Sequence, residues 1–196
     1  MTRWALKAKL YRKFRKKPVI KSILKKENEI FIRLSAMIKM KPSKIIDMGC
    51  GNGNILEILT AIFPQTQICA MDISREMMQE IDIQDIKTAS FIQGDALFAP
   101  LKSNVFDLCS AVGIAEYIKD KPLFLRELYR ILSDNGYVII TFAPVNIFSY
   151  LRFMYAIRIY PDKESKMRQY ILENGFTIVD LKKSIMQYQF LIKKRL

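Results

Sequence analysis

The chain has 196 residues, 51% of them apolar, which suits one globular domain with a substantial core. It contains no histidine, and that absence excludes Ser-His and Cys-His nucleophiles, a histidine general base and histidine-ligated metals. The formal net charge of +13 is unevenly spread: residues 1–26 hold eleven of the 32 Lys and Arg and no acid, leaving 21 cations against 19 acids in the remainder. The globular part is therefore nearly neutral, and the charge belongs to an arm.

The first segment, "TRWALKAKLYRKFRK", interleaves Trp4, Leu6, Leu10, Tyr11 and Phe14 with cations, a pattern compatible with a helix that Pro18 ends or restarts. A second helix is predicted from Pro18 to about Met40, closing at "KPS". These two elements define a basic N-terminal helical arm over residues 1–40, with a second unit over 41–196. Beyond Met40, short β-rich runs alternate with helical stretches. "KIIDM", "TQICAMD", "ASFIQGD", "VFDLCSAV" and "GYVIITFA" read as strands, and their continuous apolar character suits a parallel sheet covered on both faces. "NILEILTAIF", "SREMMQEI" and "KPLFLRELYRIL" read as crossover helices, giving a doubly wound α/β layer. The stretch after Pro144 reads as helical and aromatic-rich, and "FTIVDLKK" with "SIMQYQFLIKK" as an antiparallel pair at one edge.

Cys50, Cys69 and Cys109 form no Cys-x-x-Cys pair and lie in or beside apolar runs, as expected of buried thiols in a reducing compartment. No apolar run approaches the ~20 residues needed to span a bilayer. The basic start lacks the apolar core of a secretory signal, so a cytoplasmic location is expected, with an organelle transit peptide as the alternative.

The chemistry concentrates at the strand ends, where open parallel sheets bind ligands. In "IIDMGCGNGNIL" the glycines fall as Gly-x-Gly-x-Gly at Gly49, Gly51 and Gly53, around Cys50, and Asp47 precedes them. The dinucleotide spacing is Gly-x-Gly-x-x-Gly, and the triphosphate loop needs Gly-Lys-Ser/Thr, which is absent. A carboxylate so close repels a diphosphate and favours a ligand carrying positive charge. Asp72, at the end of the second strand, suits ribose hydroxyls. Asp95, at the end of the third, suits an exocyclic amine, with the Ala96 backbone as donor to a ring nitrogen. An ammonium, a ribose and an adenine are the parts of S-adenosylmethionine.

In this order the motifs resemble those of class I S-adenosylmethionine-dependent methyltransferases from about Lys44 to Thr141. "IIDMGCGNG" is similar to the family's cofactor loop, "MDISREMM" to its ribose segment and "QGDALFAPL" to its adenine segment. "FDLCSAVGIAEYIKD" and "LRELYRILSDNGYVIIT" are similar to the fourth strand through the fifth. The resemblance implies a Rossmann-like, mostly parallel seven-stranded sheet with a C-terminal antiparallel hairpin. It also implies that the three glycines admit the methionine moiety, that Asp47 orients it and that Asp72 grips the ribose. Ile73 and Met77 would line the adenine, Asp95 and Ala96 would read its edge, and Ala111, Val112 and Gly113 would form the floor near the methyl.

"SAVG" stands where amino-methylating enzymes of this fold carry an Asn/Asp-Pro-Pro-Tyr/Phe box, which argues against adenine or an amide as acceptor. The segment looks instead like the small-molecule and lipid-precursor branch. Glu116 and Tyr117 are the candidate general bases if the acceptor needs one. "NIFSYLRFMYAIRIY" reads as a lid or a core helix. The basic arm of residues 1–26 suits an anionic membrane surface, RNA phosphates or no partner at all. A non-catalytic cofactor-binding subunit is the remaining alternative class.

Overall fold

The computed structural model describes residues 18–82, 86, 89–153 and 158–195. The helix expected over residues 2–16 lies outside them. Helix α1 (Pro18–Ser35) leads into β1 (Lys44–Met48), α2 (Asn54–Ile62), β2 (Gln67–Asp72), α3 (Arg75–Met78), β3 (Ala89–Gln93) and β4 (Phe106–Ala111). A short 3-10 turn (Ala115–Tyr117), α4 (Lys121–Ile131), β5 (Leu132–Phe142), α5 (Ile147–Phe153), α6 (Glu164–Glu173), β6 (Phe176–Lys183) and β7 (Tyr188–Lys194) follow.

The seven strands form one sheet in the order β3-β2-β1-β4-β5-β7-β6. The first five are parallel, and β7 runs antiparallel to both β5 and β6. Alternation along each strand divides the core in two. Ile45, Leu108, Ile139 and Leu191 pack with Phe31 and Leu34 of α1 and with Ile55, Leu56 and Leu59 of α2. Ile46, Met48, Cys109 and Ile140 face the other way, onto Phe124 and Leu128 of α4 and Met167 and Ile171 of α6. Both faces are covered, which is why the strands read as unbroken apolar runs.

Three expectations on element boundaries need correction. Helix α1 stops at Ser35, whose hydroxyl turns back to the Phe31 carbonyl at 2.9 Å. The second crossover is a single turn, Arg75–Met78, capped by Ser74 Oγ accepting from Met77 N at 3.3 Å. The long helical stretch expected after Pro144 is split into α5 and α6, with residues 158–160 in neither helix and Pro161 just beyond them.

Helix α1 is joined to the sheet by more than apolar packing. Glu27, only 5% exposed, accepts from the Ser184 hydroxyl, from Gln187 Nε2 at 2.8 Å and from Gln189 Nε2 at 2.7 Å. A buried carboxylate held by three donors at once fastens α1 to the β6–β7 turn.

Candidate active site

The strand order reverses between β1 and β4, which leaves a crevice beyond their carboxyl ends. A cavity of about 420 Å³ opens there, within the range of small-molecule sites. Asp47 sits at its base. Its register partner across the β1–β4 pair is Ser110, so both side chains project from the same face of the sheet. Ser110 Oγ donates to Asp47 Oδ1 at 2.5 Å. Oδ2 of Asp47 is buried and has no hydrogen-bond partner among the described residues. A buried carboxylate oxygen left over in this way is costly until a donor or cation meets it. Burial raises the Asp47 pKa to about 7, with the Ser110 hydrogen bond opposing the shift and the nearby Asp72 charge adding to it.

The glycine loop is tied to the end of β2. Gly49 N and Cys50 N donate to the Met71 carbonyl at 2.7 and 3.0 Å, and Gly51 N donates to Asp72 Oδ2 at 2.9 Å. Gly49 has φ +77°, and a Cβ there would stand 2.7 Å from Ile114 Cδ1. A side chain is therefore excluded where the loop seats against the segment after β4. The Cys50 thiol lines the same cavity, but burial first, and then the charges of Asp47 and Asp72, push its pKa up, so it stays protonated and unreactive.

Asp72 Oδ1 accepts from Ser74 N at 2.8 Å, so this carboxylate organises both the loop and the start of α3. Ile73, Met77, Asp95 and Ala96 line the same side of the cavity, and Asp95 Oδ1 holds Leu97 N at 2.9 Å. Val112 and Gly113 supply the floor; Gly113 N donates to Thr141 Oγ1 at 2.8 Å. Glu116 and Tyr117 also line the cavity, with Glu116 1% exposed and its carbonyl receiving Tyr160 N at 2.7 Å.

Two of the residues singled out from the sequence are placed elsewhere. Ala111 is one step along β4 from Ser110, so the pleat turns it to the opposite face, where it is fully buried with the α4 side of the core. Gly53 is the residue before α2 and does not line the cavity. Conversely, sequence reasoning missed Ser110, although a lone hydroxyl in the apolar run "DLCSAV" was a signal. It also missed the part of the lining made by Ile20, Ile23, Leu24 and Glu27 of α1 with Met186 and Gln187 of the β6–β7 turn. No local signal brings those two segments together, because their contact spans most of the chain.

Residues 46–140 match the family model described as a methyltransferase domain. The matched stretch, just under half of the chain, is similar to class I S-adenosylmethionine-dependent methyltransferases. The malonyl-[acyl-carrier protein] O-methyltransferase of Legionella pneumophila is 28% identical over 116 residues, covering 58% of this chain and 40% of that protein. The demethylmenaquinone methyltransferase of Thermotoga maritima is 29% identical over 104 residues, covering 53% and 45%. The chain thus spans less than half the length of these two curated relatives. A crystal structure of a Pyrococcus horikoshii OT3 protein superposes with a TM-score of 0.75 at 16% identity, covering 92% of this chain and 93% of that one. The residues of this chain fit S-adenosylmethionine: an unpartnered buried carboxylate oxygen for a cationic group, Asp72 for hydroxyls, and Ile73 and Met77 for a flat ring.

Proposed function

We propose that this chain transfers a methyl group from S-adenosylmethionine to a small-molecule or lipid-like acceptor. The observation that carries the reading is Asp47 Oδ2, buried at the base of the cavity with no partner among the described residues. When bound, S-adenosylmethionine supplies a methyl group activated on a sulfonium, whose displacement chiefly requires an aligned nucleophile. The chain's part is then to hold and orient. Asp47, fixed by Ser110, receives the cationic end; Asp72 takes the ribose; Asp95 and Ala96 take the adenine edge; the floor at Val112 and Gly113 faces the reacting carbon. Glu116 and Tyr117 stand at the same cavity and are the groups to take a proton from an acidic acceptor.

The wall from α1 and the β6–β7 turn supports an apolar acceptor, since Ile20, Ile23, Leu24 and Met186 contribute no charge to it. The two relatives above are named for malonyl-[acyl-carrier protein] and for demethylmenaquinone, which agrees with a small-molecule or lipid-related acceptor. In this reading residues 1–40 form a basic arm, and the cations of residues 1–26 draw the protein peripherally to anionic membrane surfaces. Calorimetry with S-adenosylmethionine tests the core of the proposal: the wild type binds and Asp72→Ala loses at least roughly tenfold in affinity. Absence of binding by the wild type would reject the enzyme reading. Binding without methyl transfer to any pool would instead assign a non-catalytic cofactor-binding subunit.

A further inference from the structure

Large apolar side chains are unevenly exposed on this molecule. Of those in the open among the described residues, Ile73, Phe98, Val145, Ile147, Phe148, Tyr150 and Ile185 all follow the carboxyl ends of parallel strands or lie in the β6–β7 turn beside them. This is the end at which the cavity opens. Phe98 is 71% exposed, Ile147 65% and Tyr150 57%. The segment after β5 and the β6–β7 turn are joined, since Asn146 Nδ2 donates to the Ile185 carbonyl at 2.8 Å. That turn is in turn fastened to α1 through Ser184, Gln187 and Glu27. On α1, Ile20, Ile23 and Leu24 line the cavity, while Lys21, Lys25 and Lys26 are exposed. Exposed apolar side chains together with lysines, at the end of the sheet where the cavity lies, match the acyl and headgroup layers of an anionic bilayer.

We propose that Val145–Tyr150, Ile185 and the basic amino-terminal half of α1 form a docking face for an anionic lipid bilayer, through which the acceptor reaches the cavity. The apolar side chains enter the headgroup boundary, and the lysines meet lipid phosphates. This rests on the lipid-like acceptor reading, in which the cations of residues 1–26 already face the membrane, and adds to it the apolar surface of Val145–Tyr150 and Ile185.

The test is co-sedimentation of the full chain with vesicles of phosphatidylcholine alone or with roughly one-third phosphatidylglycerol. The wild type binds the anionic vesicles, and added salt weakens binding. The double variant Ile147→Glu, Ile185→Glu loses roughly tenfold or more in partitioning. A control pair on other surfaces, Leu172→Glu with Val179→Glu, binds as wild type does. S-adenosylmethionine calorimetry on the Ile147/Ile185 variant gives wild-type affinity, which separates failure of docking from failure of the cofactor site. The proposal is overturned if the wild type ignores anionic vesicles, if the Ile147/Ile185 variant binds like wild type, or if the control pair loses as much. It is equally overturned if light scattering shows a dimer that the Ile147/Ile185 variant dissolves, since the face would then be covered by a second copy.

Discussion

Asp47 links the sequence motif to the chemistry. Only its ionised form attracts a cation, and with a pKa of about 7 the free protein is half protonated near neutrality. Affinity for S-adenosylmethionine is therefore expected to fall as pH drops below about 7, approaching tenfold per pH unit, and to level off above it. Calorimetry on either side of neutrality reads this directly. The same shift has a consequence for stability. The folded value lies above the ordinary 3.8, so the folded chain keeps a proton that the unfolded chain releases in that window. Stability associated with Asp47 is thus lost as pH rises from about 4 to about 7. Asp47→Asn, which removes the charge, is expected to raise the melting temperature at mildly alkaline pH while abolishing cofactor binding. A lower melting temperature would show that the buried carboxylate stabilises the fold. Gly49→Ala is expected to cost about 1–3 kcal/mol in urea denaturation, because φ of +77° and the Ile114 side chain both oppose a Cβ.

At the scale of elements, the Glu27 cluster decides whether α1 is a passive cover or part of the cavity. Glu27→Ala would leave the donors of Ser184, Gln187 and Gln189 without their shared acceptor, at an expected cost of about 2–4 kcal/mol. Glu27→Gln keeps one carbonyl acceptor and should lose less; negligible losses in both variants would mean that packing of Phe31 and Leu34 alone holds the helix. This joint shows where the sequence was legible and where it was not. The strands could be read from "KIIDM" through "GYVIITFA" because burial on both faces writes an unbroken apolar run. The glycines and acids at their ends were legible because loop geometry and charge are local. Lys121 was not: it reads as a solvated cation at a helix start. It is nonetheless 1% exposed, with Nζ 2.9 Å from Asp162 Oδ2 and 2.7 Å from the Tyr160 carbonyl. Its partners lie about forty residues away, and no periodicity records such a pairing. Ser110 and Ala111 make the same point within one strand, since a single residue of register decides which of them meets the cavity.

For the whole molecule, charge, apolar exposure and cavity share one direction. The acids Asp47, Asp72 and Asp95 and the apolar side chains Ile20, Ile23 and Leu24 of α1 line one cavity. Among the described residues no helix is long and apolar enough to cross a membrane, so contact with lipid would be through a surface. The central claim is methyl transfer to an apolar small-molecule or lipid-like acceptor, and tritiated-methyl transfer from S-adenosylmethionine to fractionated lipid, RNA and protein pools tests it most directly. Label is expected in the lipid or small-molecule fraction with wild-type protein and in none with Asp47→Asn; label in RNA, or in no fraction at all, would contradict it.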